Sequence, residues 1–259
     1  MRRLVEQPVG ELARRSLMQT ARQPSLIVPP IVFPLIVLGI NVSGLDAVAR
    51  LPGFPADSYL DFAISFCFMQ AALFAMVNAG TVMAADVQTG FLKRLALTPV
   101  QRVGLMLGYL SGVVAVSLVA GLGYLAVGFV AGLRVETGPG GVVVLVGLAL
   151  AIATAFALLG AFAGLRAGHG QGVQGLFPLF FVLFFLSSIL VPRDLIEHDW
   201  FRTVATYNPV SYLVEGLRSL IITGWDGEAL ALGFGFAIAI AIGGLAATDA
   251  ALRTRLVRT

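Results

Sequence analysis

Stretches without Asp, Glu, Lys or Arg divide this chain. Six such windows run Gln23–Leu45, Phe62–Ala85, Val103–Leu133, Thr137–Leu165, Ala167–Pro192 and Ala229–Thr248. A helix crossing a bilayer needs about 20 mostly apolar residues, and each window is about that long or longer. The pattern predicts an all-α membrane protein with six transmembrane helices, near Ser25–Val42, Phe62–Met83, Gly104–Gly132, Val142–Leu165, Val173–Val191 and Leu230–Ala247. Pro29, Pro30 and Pro34 fall inside the first span, where a membrane helix tolerates proline but kinks.

Two amphipathic segments flank or interrupt the spans. In Val9–Arg22, Leu12, Leu17 and Met18 oppose Arg14, Arg15 and Arg22. That pattern fits an interfacial helix lying along one leaflet; a plain solvated leader is the other reading. Pro24 then turns the chain into the first span. Between the fifth and sixth spans, Asn208-Pro209 is a helix start, because Asn caps and Pro suits the first helical position. Val210, Leu213, Val214, Leu217, Leu220 and Ile221 follow with helical period, and Gly224 is a stop. Glu215 and Arg218, three apart, are placed to pair on one face. This helix is too short and too charged to cross, so a re-entrant segment before the last span is expected. Glycines spaced by four recur at Gly104/Gly108/Gly112, Gly128/Gly132 and Gly160/Gly164; packing within the subunit is favoured over a seam between subunits.

Composition agrees with lipid as the solvent: 58% of residues are hydrophobic and 12% charged, against roughly 25% charged in soluble domains. The net charge of +3 matters less than its distribution. Twelve Lys and Arg residues (Arg2, Arg3, Arg14, Arg15, Arg22, Lys93, Arg94, Arg102, Arg166, Arg253, Arg255, Arg258) fall on the side holding both termini, and five (Arg50, Arg134, Arg193, Arg202, Arg218) on the other. The positive-inside rule then puts both termini in the cytoplasm. No basic stripe points to nucleic acid. The single cysteine, Cys67, excludes an internal disulfide, and the polar N-terminal stretch is not a secretory signal.

Candidate chemistry is sparse. No G-x-x-x-x-G-K-[ST] occurs, and Gly168-His169-Gly170-Gln171-Gly172 lacks the lysine of a phosphate loop. His169 and His198 fall on opposite sides, so no metal site is expected. Apart from His169 at a loop edge, the windows hold no acid or base for proton coupling, and they hold no catalytic set for an intramembrane enzyme. Gln70, Asn78 and Gln174 are polar groups inside spans, explained as well by interhelical hydrogen bonds as by substrate contact.

Three features together resemble the transmembrane subunit of a type-two ABC exporter. One is the layout of leader, six spans and re-entrant segment. Another is the stretch from Asp86 to Val100, with Gly90 four residues after the acid and Thr98-Pro99 shortly after. The last is Asn208-Pro209-Val210-Ser211-Tyr212 followed by Glu215 and Arg218. The resemblance covers nearly the whole chain and implies one permease domain: leader 1–24, spans one to five over 25–191, extracytoplasmic re-entrant helices over 192–228, span six at 230–247 and a cytoplasmic tail 248–259. It implies that Asp86, Gly90, Phe91, Lys93, Arg94, Thr98 and Pro99 couple to an ATPase, unless this stretch is only a positive-inside anchor. It puts Phe66, Gln70, Phe74, Phe177, Phe181 and Phe184 along a substrate pathway, with lipid contact or helix packing as the alternative for each phenylalanine. Asn208, Pro209, Tyr212, Glu215 and Arg218 would form an outer gate or hold the re-entrant helix. The expected partners are two copies of a cytoplasmic ATP-binding subunit, which hold the ATP and Mg, a second permease copy or a paralogue, and membrane lipid. The expected setting is a bacterial inner membrane. The expected substrate is a drug, antibiotic or lipid, with a polysaccharide or lipid-linked glycan, or a non-transporting scaffold role, as alternatives.

Overall fold

The computed structural model describes residues 2–50, 52–91 and 102–257, and their regular structure is helical. In chain order the helices are α1 (Arg2–Ala21), α2 (Pro24–Leu45), α3 (Tyr59–Gln88), α4 (Arg102–Val130), α5 (Gly138–Ala167), α6 (Gly170–Gln174), α7 (Phe177–Phe185), α8 (Asp199–Tyr207), α9 (Pro209–Ile222) and α10 (Gly227–Val257). Among the described residues five helices, α2, α3, α4, α5 and α10, are long and apolar enough to cross a membrane.

The expected fifth span, Val173–Val191, is broken. Helix α6 ends at Gln174, α7 begins at Phe177, and α7 stops at Phe185. Pro178 explains the break, since it has no N–H to give to the Gln174 carbonyl. From Gly170 to Phe185 the helical rise allows roughly 24 Å, short of a hydrocarbon core of about 30 Å. At the other extreme, α10 continues past Ala247 to Val257, so residues expected as a tail are helical. Thr248 Oγ1 donates to the Gly244 carbonyl at 2.7 Å, and Arg253 pairs with Asp249 one turn back at 2.7 Å.

Helix α3 is the axis of the fold, buried along nearly its whole length against α2, α4, α5 and α9. Its contact with α5 is backbone on backbone. A Cβ added to Gly160 would collide with the Met76 carbonyl, and one on Gly164 with the Gly80 carbonyl. In return, a Cβ on Gly80 would sit 2.7 Å from the Gly160 carbonyl oxygen. The Gly160/Gly164 spacing therefore packs within the subunit, as expected. The same holds for Gly112, where Ser16 and Thr20 of α1 leave no room, and for Gly128, which faces Ile64.

Helix α2 carries three prolines, and its neighbours replace the donors missing at Pro30 and Pro34. Pro30 and Pro34 leave the Leu26 and Pro30 carbonyls without their usual N–H partners. Asn78 Nδ2 of α3 donates to Leu26 O at 3.0 Å, and the buried Tyr124 hydroxyl of α4 donates to Pro30 O. Asn78 thus makes an interhelical hydrogen bond, and the proline-rich first span is tied to both α3 and α4.

Helix α1 lies against α4. Ser16 Oγ donates to Tyr109 O at 2.7 Å and accepts from Gly112 N–H at 3.1 Å, and Ser111 Oγ donates to Ala13 O at 3.2 Å. Leu17 and Met18 remain exposed beside exposed Arg14. The leader is therefore an amphipathic helix with a docked side, and Pro24 opens α2 directly after it.

Replacing Gly160 with leucine overpacks this seam and should cost about 1–3 kcal/mol or more. Gly147, on the same helix with open space around its Cβ position, should accept leucine without loss. Thermal unfolding of the purified protein in detergent, followed by size-exclusion profile, reads the difference.

Candidate functional site

Two polar clusters stand at the two ends of α3. At the Phe62 end, the sequence builds one around the start of α9. Asn208 Oδ1 accepts from Val210 N–H at 2.9 Å, an ordinary helix cap. Its amide nitrogen donates to Leu183 O at 2.7 Å, in the last turn of α7, and to Leu186 O at 3.1 Å, just after it. One side chain therefore starts one helix and finishes another. Ser211 Oγ accepts from Ser188 N–H at 3.0 Å and fixes the turn that follows α7.

Arg218 is 7% exposed. It donates to Ser188 O at 3.1 Å and Ile189 O at 3.0 Å, and its guanidinium lies 3.6 Å from the Phe62 ring centroid. Burying a cation is costly, and the two carbonyls and the ring face offset part of that cost. Its Nε has no hydrogen-bond partner. The expected Glu215–Arg218 pair does not form. Glu215 instead takes a bidentate pair from Arg193, with both N···O distances 2.7 Å, and a hydrogen bond from Ser188 Oγ at 2.6 Å. The planar guanidinium fork of Arg193 matches both carboxylate oxygens, while Arg218 is turned to the 188–189 backbone. Arg193 also lies 4.4 Å over the Tyr212 ring, whose hydroxyl donates to Thr206 O at 2.8 Å and whose face stacks on Phe236 at 4.7 Å. A cavity of about 390 Å³ opens beside the cluster, lined by Phe62, Arg193, Glu215, Arg218, Thr223 and Asp226 among others. Arg193 and Ser188 were missed in the sequence. The only sign of Arg193 is that it is the first charge after a long apolar run.

At the other end of α3, Asp86 is buried at 5% exposure. A carboxylate near a helix C-terminus is repelled by the helix dipole, and Arg15 of α1 supplies the opposing charge at 3.0 Å. The same guanidinium lies 3.8 Å from the centroid of the Phe91 ring. Gly90 adopts φ +67°, which turns the chain out of α3, and Thr89 Oγ1 donates to Ala85 O at 3.0 Å. Lys93, Arg94, Thr98 and Pro99, the rest of the expected coupling stretch, lie outside the described residues.

The aromatic residues expected along a pathway divide into separate groups. Phe66 and Phe184 are both buried and pack edge to face at 5.7 Å. Gln70 is buried beside this level of α3, with its Oε1 lacking a partner. Phe74 is half-buried and meets Phe33 of α2 at 6.1 Å. Phe177 stacks on Phe181 at 5.6 Å, half-buried along α7. The structure thus brings Phe66 and Phe184 together in the interior of a single subunit and keeps Phe74 with α2.

A family model described as ABC-2 type transporter matches residues 8–222. With most of the chain matched, the protein belongs to that family. It is a multi-pass membrane protein and the permease subunit of an ABC exporter; such permeases generally work with an ATP-binding subunit. No curated protein sequence matches the chain.

A double-mutant cycle on thermal stability checks the ion-pair assignment. Arg193 and Glu215 should couple by about 1.5–3 kcal/mol, the range for hydrogen bonds to charged groups. Glu215 and Arg218 should couple by clearly less. The opposite ranking would restore the pairing expected from their spacing.

Proposed function

We propose that this ABC-2 type permease moves an amphipathic, hydrophobic or lipid-like substrate (a drug, antibiotic or lipid) out of the cytoplasm or the inner leaflet. Two copies of a separate ATP-binding subunit would hold the ATP and Mg and drive the cycle. A second permease copy or a paralogue would complete the path. In this reading the chain crosses a bacterial inner membrane six times with both termini in the cytoplasm. Helices α6 and α7, with the stretch to Val191, make the fifth crossing. Helices α8 and α9 dip in from the outer face: Asn208, at their junction, bonds to the carbonyls ending α7, while the far end of α9 meets the loop before α5 through Thr137 Oγ1 to Leu220 O.

The observation that supports this reading best is the layout along α3. Asp86 sits against Arg15 at one end and Phe62 against Arg218 at the other. The stretch between is apolar apart from Ser65, Gln70, Asn78 and Thr81. A span without charged relays favours energy that enters mechanically from outside the membrane. A rigid helix joining two polar clusters is the kind of element that converts a push at one end into a rearrangement at the other. Phe91, Asp86 and Gly90 would receive the push. Asn208, Tyr212, Glu215 and Arg218, with Arg193, would hold the outer segment until it moves. The aromatic residues of α3 and α7 suit an apolar substrate better than a strongly hydrated one.

In proteoliposomes holding the permease with its ATP-binding subunit, Phe91→Ala should lower ATP-driven transport of a fluorescent amphiphile by roughly tenfold, within the 5- to 150-fold span of typical coupling free energies. Full transport and unaltered co-purification of the ATP-binding subunit in both Phe91→Ala and Gly90→Val would remove the coupling role from this stretch.

A further inference from the structure

We infer that Arg15 of the leader helix is a positioning residue of the coupling junction, holding Asp86 and Phe91 so that α1 moves with the end of α3. This rests on the reading of that stretch as the receiver of the ATPase stroke.

The argument starts from Asp86. Its side chain is 8% exposed and lies where the carbonyl end of α3 disfavours a negative charge. A buried carboxylate there needs a cation, and among the described residues the one paired with it comes from 71 residues earlier in the chain. Arg15 uses its planar head twice. One nitrogen reaches Asp86 Oδ1 at 3.0 Å, and the face covers the Phe91 ring at 3.8 Å. Lysine could reproduce the first contact but not the flat stacking. With its side chain 41% exposed, Arg15 sits at a boundary, not in the core.

The helix carrying Arg15 cannot drift independently. Ser16, the next residue, is bonded to both Tyr109 O and Gly112 N–H of α4. A side chain on Gly112 would strike Ser16 and Thr20, each oxygen 2.6 Å from the Cβ position. Tyr109 in turn donates through its hydroxyl to Ala79 O of α3 at 2.7 Å, two turns before Asp86. So α1, α3 and α4 form one hydrogen-bonded block, and Arg15 fastens Phe91, at the head of the coupling stretch, to that block. A displacement of Phe91 then either carries α1 along or breaks the contact. Exposed Leu17, Met18 and Arg14 on another side of α1 show that the leader serves this junction without giving up a face to its surroundings.

The test uses the full permease with its ATP-binding subunit in proteoliposomes, comparing wild type with Arg15→Gln, Arg15→Lys and Phe91→Ala. The readout is transport of a fluorescent amphiphile per ATP hydrolysed, measured beside thermal stability. Arg15→Gln should lower that ratio about fivefold or more, and Arg15→Lys should recover part of it. If Arg15→Gln lowers stability and both rates together while the ratio holds, Arg15 is structural and the inference fails, although the coupling reading stands when Phe91→Ala still lowers the ratio. If none of the variants changes the ratio, both fail.

Discussion

Everything in this subunit hangs on the close approach of α3 and α5. Gly160 and Gly164 lie on the Met76 and Gly80 carbonyls with no space for a side chain. In lipid, apolar side chains gain little by leaving one apolar surface for another, so association depends on packing and on interhelical hydrogen bonds. The glycine seam provides the packing. Asn78 and Tyr124 provide the hydrogen bonds by satisfying carbonyls that the prolines of α2 leave open. With α3 enclosed in this way, its two ends are fixed relative to the other helices, and both polar clusters are built on those ends.

The clusters have a common design. Each contains an arginine brought from a distant element, which touches an aromatic ring with its face and oxygen atoms with its edge. Arg15 reaches Asp86 and Phe91; Arg218 reaches the Ser188 and Ile189 carbonyls and Phe62. Arginine suits both places because its fork and its flat face are satisfied at once. For a permease of this family the arrangement offers a mechanical route. In the proposed reading a stroke received near Phe91 would be borne by α3 and α1, and the segment held by Arg218, Arg193 and Glu215 lies at the far end of the same rod.

Much of the fold was legible because membrane helices announce themselves by the absence of charge. The spans matching α2, α3, α4, α5 and α10 follow from that alone. The start of α9 followed from the local chemistry of Asn208 and Pro209, and the Gly160/Gly164 contact from small-residue spacing. The broken fifth segment was hidden because a charge-free window looks the same whether or not Pro178 interrupts its hydrogen bonds. The helical ending of α10 was hidden because Asp249 and Arg253 read as tail charges although they pair along the helix. Among the site residues, spacing suggested Glu215 with Arg218, but the tertiary fold delivered Arg193 to Glu215 from 22 residues away. No local pattern encodes that choice, or the reach of Arg15 to Asp86. The aromatic residues show the same limit: their number was visible, but whether each is enclosed, as Phe66 and Phe184 are, depends on which helices surround it.

The central claim, that this permease takes its energy at the Asp86 end of α3 from a separate ATP-binding subunit, is most directly tested by site-specific photo-crosslinking. A benzophenone side chain placed at Thr89, exposed at the end of α3, should give an adduct with the ATP-binding subunit in native membranes, with its yield changing when ATP is added. A probe at Thr223, after α9 at the opposite end, should give none. Adducts with the ATP-binding subunit from Thr223 and not from Thr89 would contradict the account.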